Sequence, residues 1–395
     1  MKKHKPNMLS FNGSNFMRQR LILSVLTGKA ISISNIRSTD TEPGLREYEV
    51  NLLRLLDKIT NGTWLEVNET GTSFMFSPGA LTGGVIHHEC SKLRGIGYYL
   101  EVIFALAPFC KKPLTATLKG VTNNQVDPSV DSFKSAGVSV LKQFVVIDPG
   151  IEFHIKKRGL EPDGGGEVHL HFPKLKLKAV QVKDMGKIKK VRGTAFAVKV
   201  SPALANRFVT TAKGEMLKFL PNVFIMSDLM KGSAGGYSPG YGGCLIAETT
   251  TGVVVSADVS CLPPPAARQV PEELGKTCAS LLLEAISRGG VVDSNFQSLA
   301  CLYLTFTSTD ISQIVLGPLS PYTIEFIRHL RLFVGIMFKL EPYVEADDDV
   351  LNVGTNKVLL SGVGVGYHNL PRGGASRSLS TYSHFNFLAE WTDDN

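Results

Sequence analysis

The spacing of apolar positions predicts a chain in which short helices and strands alternate. Helices are expected where apolar residues recur every three or four positions, and strands where apolar and polar residues alternate. By these patterns the helices of the first half are residues 19–26, 43–59, 96–106 and 130–144. The strands are residues 64–67, 73–76, 114–118, 152–155 and 167–172. The first two strands form a predicted hairpin, because a turn-forming segment separates them.

The second half of the chain continues this mixture of elements. Strands are predicted at 194–200 and 245–248, helices at 274–288 and 321–338, and a Gly/Ser/Tyr-rich loop at 232–243. In the helix that begins at Pro321, the spacing of Ile324, Ile327 and Leu330 predicts that these three residues face inward. Glu325, Arg328 and His329 are then expected to project from the other side.

A basic segment between residues 174 and 192 marks a change in composition. Its basic residues are Lys174, Lys176, Lys178, Lys183, Lys187, Lys189, Lys190 and Arg192, and its one acid is Asp184. We place a domain boundary here, which predicts a large domain of residues 1–184 and 286–395 and a smaller domain of residues 185–285. The lysines at 174, 176 and 178 alternate with leucines, which fits a solvated strand face and an RNA-binding surface equally well.

Charge and cysteine content narrow the class of protein. The formal net charge of +7 permits a polyanionic partner such as RNA without requiring one. The six cysteines contain no C-x-x-C pair and are too sparse for a disulfide framework, so reduced thiols inside a cell are expected. No apolar stretch reaches the ~18 residues of a membrane helix. The basic residues 1–6 precede no apolar segment, so we predict neither a signal peptide nor membrane association.

Two groups of histidines raise the question of a metal site. His87 and His88 are adjacent and would point to opposite faces of a strand, and we interpret residues 87–90 as a surface loop. His169 and His171 share one face of a predicted strand and could bind a metal with a third ligand. An exposed polar face is the preferred interpretation, so the sequence predicts no metal site and no cofactor.

The segment 158–168 is the most distinctive in the chain and reads Arg-Gly-Leu-Glu-Pro-Asp-Gly-Gly-Gly-Glu-Val. Three successive glycines let another chain or a phosphate approach the backbone closely. Taken physically, the pattern favours a tight link between two strands over a phosphate site. The full string resembles R-G-x-x-P-x-G-G-G-x-(aliphatic), the signature of the RNA 3′-terminal phosphate cyclase family.

The resemblance to this family covers most of the chain. Matching segments are residues 26–29 (LTGK), 36–45 (IR, then PGL), 77–84 (SPG, then GG), 122–128 (TNN, then DP) and 191–193 (VRG). It implies an α+β fold, with a large domain of repeated units, each a small sheet backed by helices, and an inserted smaller α/β domain. The predicted domain boundary agrees with this arrangement.

The chain departs from the family where catalysis is concerned. Active cyclases are similar to one another in an E-G-G-G-Q stretch before the first helix, and here residues 12–16 read NGSNF. The resemblance also aligns residues 289–299 with the stretch that holds the nucleotidylated histidine, and Asn295 falls at that histidine's position. An amide nitrogen has no basic lone pair and is not a usable nucleophile. We therefore predict no catalytic residue and no cyclase activity.

Two groups of charged residues remain as candidate binding sites. Arg18, Arg20 and Arg37 lie, by the resemblance, near the family's phosphate pocket, and arginine forks suit phosphate oxygens. They are a candidate anion or RNA site, together with Lys174, Lys176, Lys178, Lys189, Lys190 and Arg192. Glu325, Arg328, His329 and Arg331 are a candidate docking patch, although a solvated helix face is the simpler interpretation.

A retained fold without a nucleophile resembles the eukaryotic cyclase-like branch of the family. The resemblance implies a non-catalytic ribosome assembly factor in the nucleolus, which serves processing of the small-subunit (18S) pre-ribosomal RNA. The implied partners are a large nucleolar GTPase, pre-ribosomal RNA and processome proteins. Two alternatives stay open: an endoribonuclease, for which Asp127 and Asp131 near Arg37 are candidates, and an active cyclase whose histidine lies elsewhere.

Overall fold

The computed structural model describes residues 8–146, 150–263, 266, 269–344, 356–367 and 369. The basic residues 1–6 and the end of the predicted large domain lie outside the described residues. The helices are α1 Met17–Thr27, α2 Glu47–Ile59, α3 Ile96–Leu106, α4 Val130–Ser132, α5 Val138–Gln143, α6 Pro202–Leu217, α7 Pro271–Arg288, α8 Gln297–Phe306 and α9 Pro321–Val334. A π turn, Phe133–Gly137, joins α4 to α5, so the helix predicted at 130–144 is present in three pieces.

The strands are short and follow the helices throughout the chain. They are β1 Leu9–Asn12, β2 Ile31–Ser34, β3 Thr60–Asn61, β4 Trp64–Val67, β5 Phe74–Ser77, β6 Ala80–Leu81, β7 Gly84–Glu89, β8 Leu114–Gly120, β9 Glu152–Lys157, β10 Gly166–Phe172, β11 Gln181–Val182, β12 Ile188–Val198, β13 Val223–Met230, β14 Gly240–Thr249, β15 Val254–Ser260, β16 Ile311–Leu316, β17 Lys339–Pro342 and β18 Val358–Val363.

Three four-stranded sheets repeat one arrangement. Their strand orders are β1-β2-β5-β4, β7-β8-β10-β9 and β11-β16-β18-β17. In each sheet the first two strands are parallel, and the remaining neighbours are antiparallel. Parallel neighbours need a crossover, which a helix supplies in each unit. This repetition confirms the α+β class and the predicted units of a small sheet backed by helices.

The third unit is interrupted by a smaller α/β insert. After β11 the chain forms β12, α6, β13, β14, β15 and α7 before the unit resumes at α8. The insert has its own sheet, in the order β13-β12-β14-β15, with α6 and α7 packed on it. Phe208, Leu245 and Leu282 belong to a core of its own, separate from the core that the three units share. The limits 185–285 for the smaller domain stay a prediction.

Helix α3 lies at the centre of the shared core and packs against α1 and α8. Its residues are buried with the exception of Glu101, which explains why an apolar run predicted this helix with both ends correct. Helix α2 begins at Glu47, later than Pro43, because Gly44 adopts a φ of 88°. The backbone N–H of Arg46 then donates to Glu49, which fixes the start of the helix.

The structure corrects the predicted orientation of α9. The prediction that Ile324 faces inward and His329 faces solvent is wrong: Ile324 is 40% exposed and His329 is 4% exposed. The buried positions are Thr323, Phe326, His329, Leu330 and Phe333. The neighbours of α9 supply polar partners for the imidazole, so a histidine can take a core position.

Other local predictions are corrected in smaller ways. Residues 87–90 were expected in a loop, but His87 and His88 lie in β7 and point to opposite faces, with His88 buried. Residues 174–178 alternate between exposed lysines and half-buried leucines as predicted. They belong to no strand, and Leu177 forms one isolated antiparallel bridge with Val145. The glycine-rich loop gives way to β14 at Gly240. None of the described helices is both long enough and apolar enough to cross a membrane.

Candidate functional site

Arg18 lies where three helices meet. Its Nη1 atom is 3.0 Å from Glu101 Oε2 on α3, and its guanidinium carbon is 4.2 Å from the centre of the Tyr98 ring. The Tyr322 hydroxyl of α9 donates to Glu101 Oε1 at 2.6 Å. Burial alone would lower the pKa of the Arg18 guanidinium, but the Glu101 carboxylate raises it, so Arg18 is a permanent cation with its own counter-ion.

A second arginine shares the same tyrosine. The Arg94 guanidinium carbon lies 4.5 Å from the centre of the Tyr98 ring, on a loop that leads into α3. Arg94 donates two hydrogen bonds to the carboxylate of Asp127, one of them at 2.8 Å. Two cations therefore flank one aromatic ring, and each is neutralised by a carboxylate of the chain.

Arg37 joins this cluster through another tyrosine. It has a φ of 45° and donates to both carboxylate oxygens of Glu49, at 2.8 and 2.7 Å. The hydrogen bonds that Arg37 donates to the Glu49 carboxylate raise the pKa of its guanidinium. Arg37 also donates to the Tyr48 hydroxyl at 3.5 Å, and the Tyr48 ring packs edge-on against Tyr98. Arg37 thus pairs with Glu49 rather than with Asp127 or Asp131.

The third predicted arginine, Arg20, is bound to a buried histidine. Arg20 Nε donates to His329 Nε2 at 3.4 Å, and His329 Nδ1 lies 2.8 Å from Gln19 Oε1. Because Nε2 accepts, Nδ1 must carry the proton of a neutral imidazole. Burial, with a smaller effect from the charge of Arg20, lowers the pKa of His329 to about 4. Both ring nitrogens are therefore occupied.

Asn295 lies in a cleft that Arg18, Arg20 and Arg37 do not line. It is exposed, directly after the buried Asp293, and its N–H donates to Asp293 Oδ1 at 2.9 Å. It lines a cleft of about 600 Å³ between the insert and the shared core, whose other walls are residues 124–128, β15 and α7. Asp127, which accepts hydrogen bonds from Arg94 of the arginine cluster, also lines this cleft, whereas Arg18, Arg20 and Arg37 are not among its lining residues.

One carboxyl group in the cleft has a shifted pKa. Burial raises the pKa of Asp258 to about 6, against the opposing effect of a hydrogen bond from Ser132. The Ser132 hydroxyl donates to Asp258 Oδ1 at 2.8 Å. A carboxyl group of this kind titrates close to neutral pH.

The glycine-rich signature forms a junction between the second unit and the insert. Arg158 donates to both oxygens of Asp131, at 2.7 and 2.8 Å, and its Nε donates to Asp228 of β13 at 2.8 Å. A Cβ atom on Gly159 would lie 2.2 Å from the backbone nitrogen of Gly166. The glycines therefore permit close backbone packing, which matches the interpretation of this segment as a tight link.

The predicted basic surface divides into exposed and paired residues. Exposed residues are Lys174, Lys176, Lys178 and Lys189. Lys190 binds Glu248 at 2.8 Å, and Arg192 donates to Asn222 Oδ1 at 3.0 Å. Of the predicted docking patch on α9, Arg328 and Arg331 are exposed and Arg328 pairs with Glu325 at 3.0 Å. His329 is removed from that patch because it is buried.

The paired histidines of β10 have partners within their own sheet. His169 Nε2 donates to Glu167 Oε1 at 2.6 Å, and this hydrogen bond lowers the pKa of Glu167. His171 Nδ1 lies 2.9 Å from the Thr115 hydroxyl. Within the described ranges, no group of three histidine, cysteine or acidic residues has the geometry to hold a metal ion.

Sequence reasoning missed Arg94, Tyr98, Glu101 and Tyr322. One signal could have found the cluster: Glu101 is the one charged residue of an otherwise apolar helix, and a buried charge requires a partner. The identity of that partner depends on the packing of α1 and α9 against α3, which no local pattern contains.

Comparisons with known proteins agree with these features. The family model described as RNA 3′-terminal phosphate cyclase matches residues 9–340. A Drosophila melanogaster protein named "Probable RNA 3′-terminal phosphate cyclase-like protein" is 53% identical, over 92% of this chain and 97% of its own length. The human "RNA 3′-terminal phosphate cyclase-like protein" is 51% identical over the same shares. The Schizosaccharomyces pombe "rRNA processing protein rcl1" is 36% identical, again over 92% and 97%.

The match runs through the units that carry the arginine cluster and through the insert. It includes the glycine-rich signature at the junction and extends into the last unit. The resemblance predicted from the motifs is thereby confirmed, and the chain belongs to the RNA 3′-terminal phosphate cyclase family.

Proposed function

We propose that this chain is a non-catalytic factor in ribosomal RNA processing. In detail, we propose that it works in the nucleolus on small-subunit (18S) pre-ribosomal RNA, as an RNA- and protein-binding member of its family. The names of its relatives support the proposal, since several are called cyclase-like and one is called an rRNA processing protein.

The state of His329 is the observation that carries the non-catalytic part of the proposal. A nucleotidyl-transfer nucleophile needs a free nitrogen lone pair that faces the phosphate. Of the histidines that the structure describes, His329 contacts Arg20 of the arginine cluster. It is buried, its lone pair faces Arg20, and its proton faces Gln19. The sequence has no histidine between His171 and His329.

The direct test is nucleotidylation. The protein is incubated with radiolabelled ATP or GTP and examined for an acid-labile, covalently labelled band, with an active cyclase labelled in parallel. We expect no label on this chain while the control is labelled. A labelled band would return the protein to the active cyclases, and mapping the label would identify the nucleophile.

The arginine cluster supports a role as an anion site for RNA phosphate, with one condition. Arg18 is already neutralised by Glu101, so an RNA phosphate must compete with this carboxylate. Glu101→Gln should therefore raise affinity for single-stranded RNA several-fold, and Arg18→Met should lower it. Fluorescence anisotropy measures both. Unchanged affinity in both variants would exclude the cluster as an RNA site.

The exposed side of α9 supports a protein-docking role. After Pro321 at the start of the helix, its exposed residues are Ile324, Arg328, Arg331 and Leu332, which follow one another along the helix surface. Two apolar and two basic side chains suit an acidic protein surface with an apolar centre. We propose this face as the docking site for the large nucleolar GTPase.

A pull-down tests the docking site. Arg328→Glu with Arg331→Glu should abolish recovery of the GTPase, whereas Lys276→Glu on the exposed side of α7 should leave it unchanged. Equal recovery with both variants would mean that the GTPase binds elsewhere. Nucleolar localisation is checked in the same cells with a fluorescent fusion, which should coincide with a nucleolar marker.

The alternative of an endoribonuclease has one observation in its favour. Asp127 and Asp131 are each bound by an arginine and are poor general bases, but Asp258 lines the cleft that contains Asn295 and has a pKa raised to about 6. If the chain cuts pre-ribosomal RNA at this cleft, Asp258→Asn should abolish cleavage. We expect no cleavage by the unaltered protein under conditions that exclude contaminating nucleases.

A further inference from the structure

The open face of the second sheet carries a row of side chains that crosses all four of its strands. His87 on β7 lies beside Thr117 on β8, Thr117 lies beside His169 on β10, and His169 lies beside His154 on β9. His87 and His154 are exposed, and Thr117 and His169 are half-buried. On β8 and β10 the residues directly before and after this row are buried in the shared core. Three imidazole rings therefore stand on one solvent-facing row.

The spacing of the strands sets the spacing of the rings. Neighbouring strands lie about 4.8 Å apart, and side chains stand roughly perpendicular to the sheet. His154 and His169 are one strand apart, and His87 and His169 are two strands apart. The row is thus a platform roughly 15 Å long. Exposed aromatic and histidine rings of this kind stack on the unpaired bases of RNA.

A basic wall stands beside this platform. A cleft of about 870 Å³ separates α2 from the row, and Lys58 Nζ of α2 donates to the backbone oxygen of His87 at 2.7 Å. The charged residues that line the cleft are the cations Arg54, Lys58, Lys92 and Lys119 and the acids Glu47 and Glu89. Cations exceed carboxylates by two to one, so the cleft favours a polyanion.

The other two units provide an internal comparison. The matching cross-strand row of the first sheet is Ser10, Ser32, Met75 and Glu66, and that of the third sheet is Gln181, Gln313, Ser361 and Lys339. Neither row contains a ring. The same strand arrangement therefore forms without histidines on its open face, and the fold does not explain their presence on the second sheet.

We propose that the open face of the second sheet binds single-stranded RNA. Bases stack on the rings of His87, His154 and His169, and the phosphates contact the basic wall formed by Arg54, Lys58, Lys92 and Lys119. A flat row of rings cannot reach the paired bases inside an RNA duplex, which selects an unpaired strand. The inference rests on the proposed function in ribosomal RNA processing and assigns an RNA surface outside the arginine cluster, the lysine segment and α9.

The test compares matched rows within one molecule. The first variant is His87→Ala/His154→Ala/His169→Ala, and the control is Ser10→Ala/Ser32→Ala in the corresponding row of the first sheet. Affinity for a fluorescein-labelled, unstructured RNA is measured by anisotropy in the full chain. We expect the histidine variant to lose roughly tenfold or more, because each stacked base contributes substantially to binding. The control should retain the affinity of the unaltered protein.

The basic wall and the histidine row are tested separately, the first by salt dependence and the second by crosslinking. Arg54→Ala/Lys92→Ala should make affinity less dependent on salt concentration, because fewer counterions are released. Photocrosslinking of thiouridine-containing RNA should label peptides that contain His87 or His169. Thermal denaturation of each variant identifies any loss of affinity that comes from unfolding, and crosslinking of the unaltered protein does not depend on the variants.

Each outcome separates this inference from the proposed function. If the unaltered protein binds RNA and the histidine variant binds equally well, the inference is overturned and the proposed function stands. If RNA crosslinks to the arginine cluster or to the lysine segment instead, the inference fails in the same way. If the unaltered protein binds no RNA, both the inference and the RNA-binding part of the proposed function fail. Loss of a protein partner with unchanged RNA affinity would assign the face to protein docking and overturn the inference.

Discussion

Arg158 of the second unit donates to Asp228 of the insert at 2.8 Å, while its other two nitrogens hold both oxygens of Asp131. Asp131 and Arg158 are almost fully buried. Removing one member of such a group leaves uncompensated charge in a largely buried site. The family signature begins with this arginine, so its first residue has a structural role at the junction.

Arg158→Met should therefore destabilise the protein by about 3–5 kcal/mol. Chemical denaturation with two probes, one sensitive to the insert and one to the units, measures the change. The matched control is Arg207→Met, which breaks the exposed ion pair with Glu272 and should leave the unfolding midpoint nearly unchanged. Similar midpoints for the two variants would contradict the assigned role of Arg158.

The pKa of His329, lowered to about 4, predicts how stability depends on pH. Between that pKa and about 6.5, the unfolded chain binds a proton that the folded chain does not. Stability from this group is thus present above about pH 6.5 and is lost as pH falls towards 4. The expected loss between pH 7 and pH 5 is about 2 kcal/mol.

Asp258 acts in the opposite direction, because its raised pKa adds stability as pH falls through about 6. The informative quantity is therefore the difference between the unaltered protein and His329→Asn. From pH 7 to pH 5 the variant should lose less stability than the unaltered protein, by about 2 kcal/mol, because the Asp258 contribution is the same in both. An identical pH dependence would show that His329 titrates normally in the folded protein.

Asn295→His should not create a nucleotidylated protein. The side chain at this position lines the cleft with β15 and α7, whereas Arg18 and Arg20 lie on α1 against α3 and α9. The one cation among the residues that line this cleft is Arg288, which already pairs with Glu284, so a histidine at 295 would have no unpaired cation in the lining to hold a nucleotide. Incubation with radiolabelled ATP and GTP, beside a labelled active cyclase, checks this. A labelled Asn295→His protein would place the nucleotide pocket at the cleft.

Two glycine substitutions should act in opposite directions. Gly159→Ala should destabilise the protein strongly, because the new Cβ would lie 2.2 Å from the backbone nitrogen of Gly166. Gly214→Ala, on the open side of α6, meets no atom within 4 Å and should stabilise by about 0.5–1 kcal/mol. Thermal denaturation measures both. A Gly159→Ala variant as stable as the unaltered protein would exclude close backbone packing at the signature.

The sequence predicts a helix and its buried face well where burial of apolar side chains is the dominant factor. Helix α3 is an apolar run with a single charged residue, Glu101, and both of its ends agree with the prediction. On α9 two factors compete, because His329 finds polar partners in the interior while Ile324 remains exposed. Local spacing could not decide between them, so the predicted face was wrong.

The site is harder to predict because its contacts join distant parts of the chain. Tyr322 and Glu101 form one hydrogen bond across 221 residues, and no short pattern contains both. The motif at Arg158 identified the family, but its partners Asp131 and Asp228 belong to two other elements. The alignment predicted the residue type at position 295 but not its surroundings, and the structure places Asn295 in a cleft that Arg18, Arg20 and Arg37 do not line.

The insert also determines when the last unit of the chain can be completed. The N–H of Val180 donates to the Ser312 hydroxyl across 132 residues, and the sheet of the third unit forms only when both sides of that gap are present. The entropic cost of closing a loop grows with its length, and a folded insert shortens the flexible part of the loop. During synthesis from the N-terminus, the first two units can therefore fold before the insert, and the third unit closes last. A chain released before α8 would contain two complete units, and its β11 would lack β16, the strand with which it pairs.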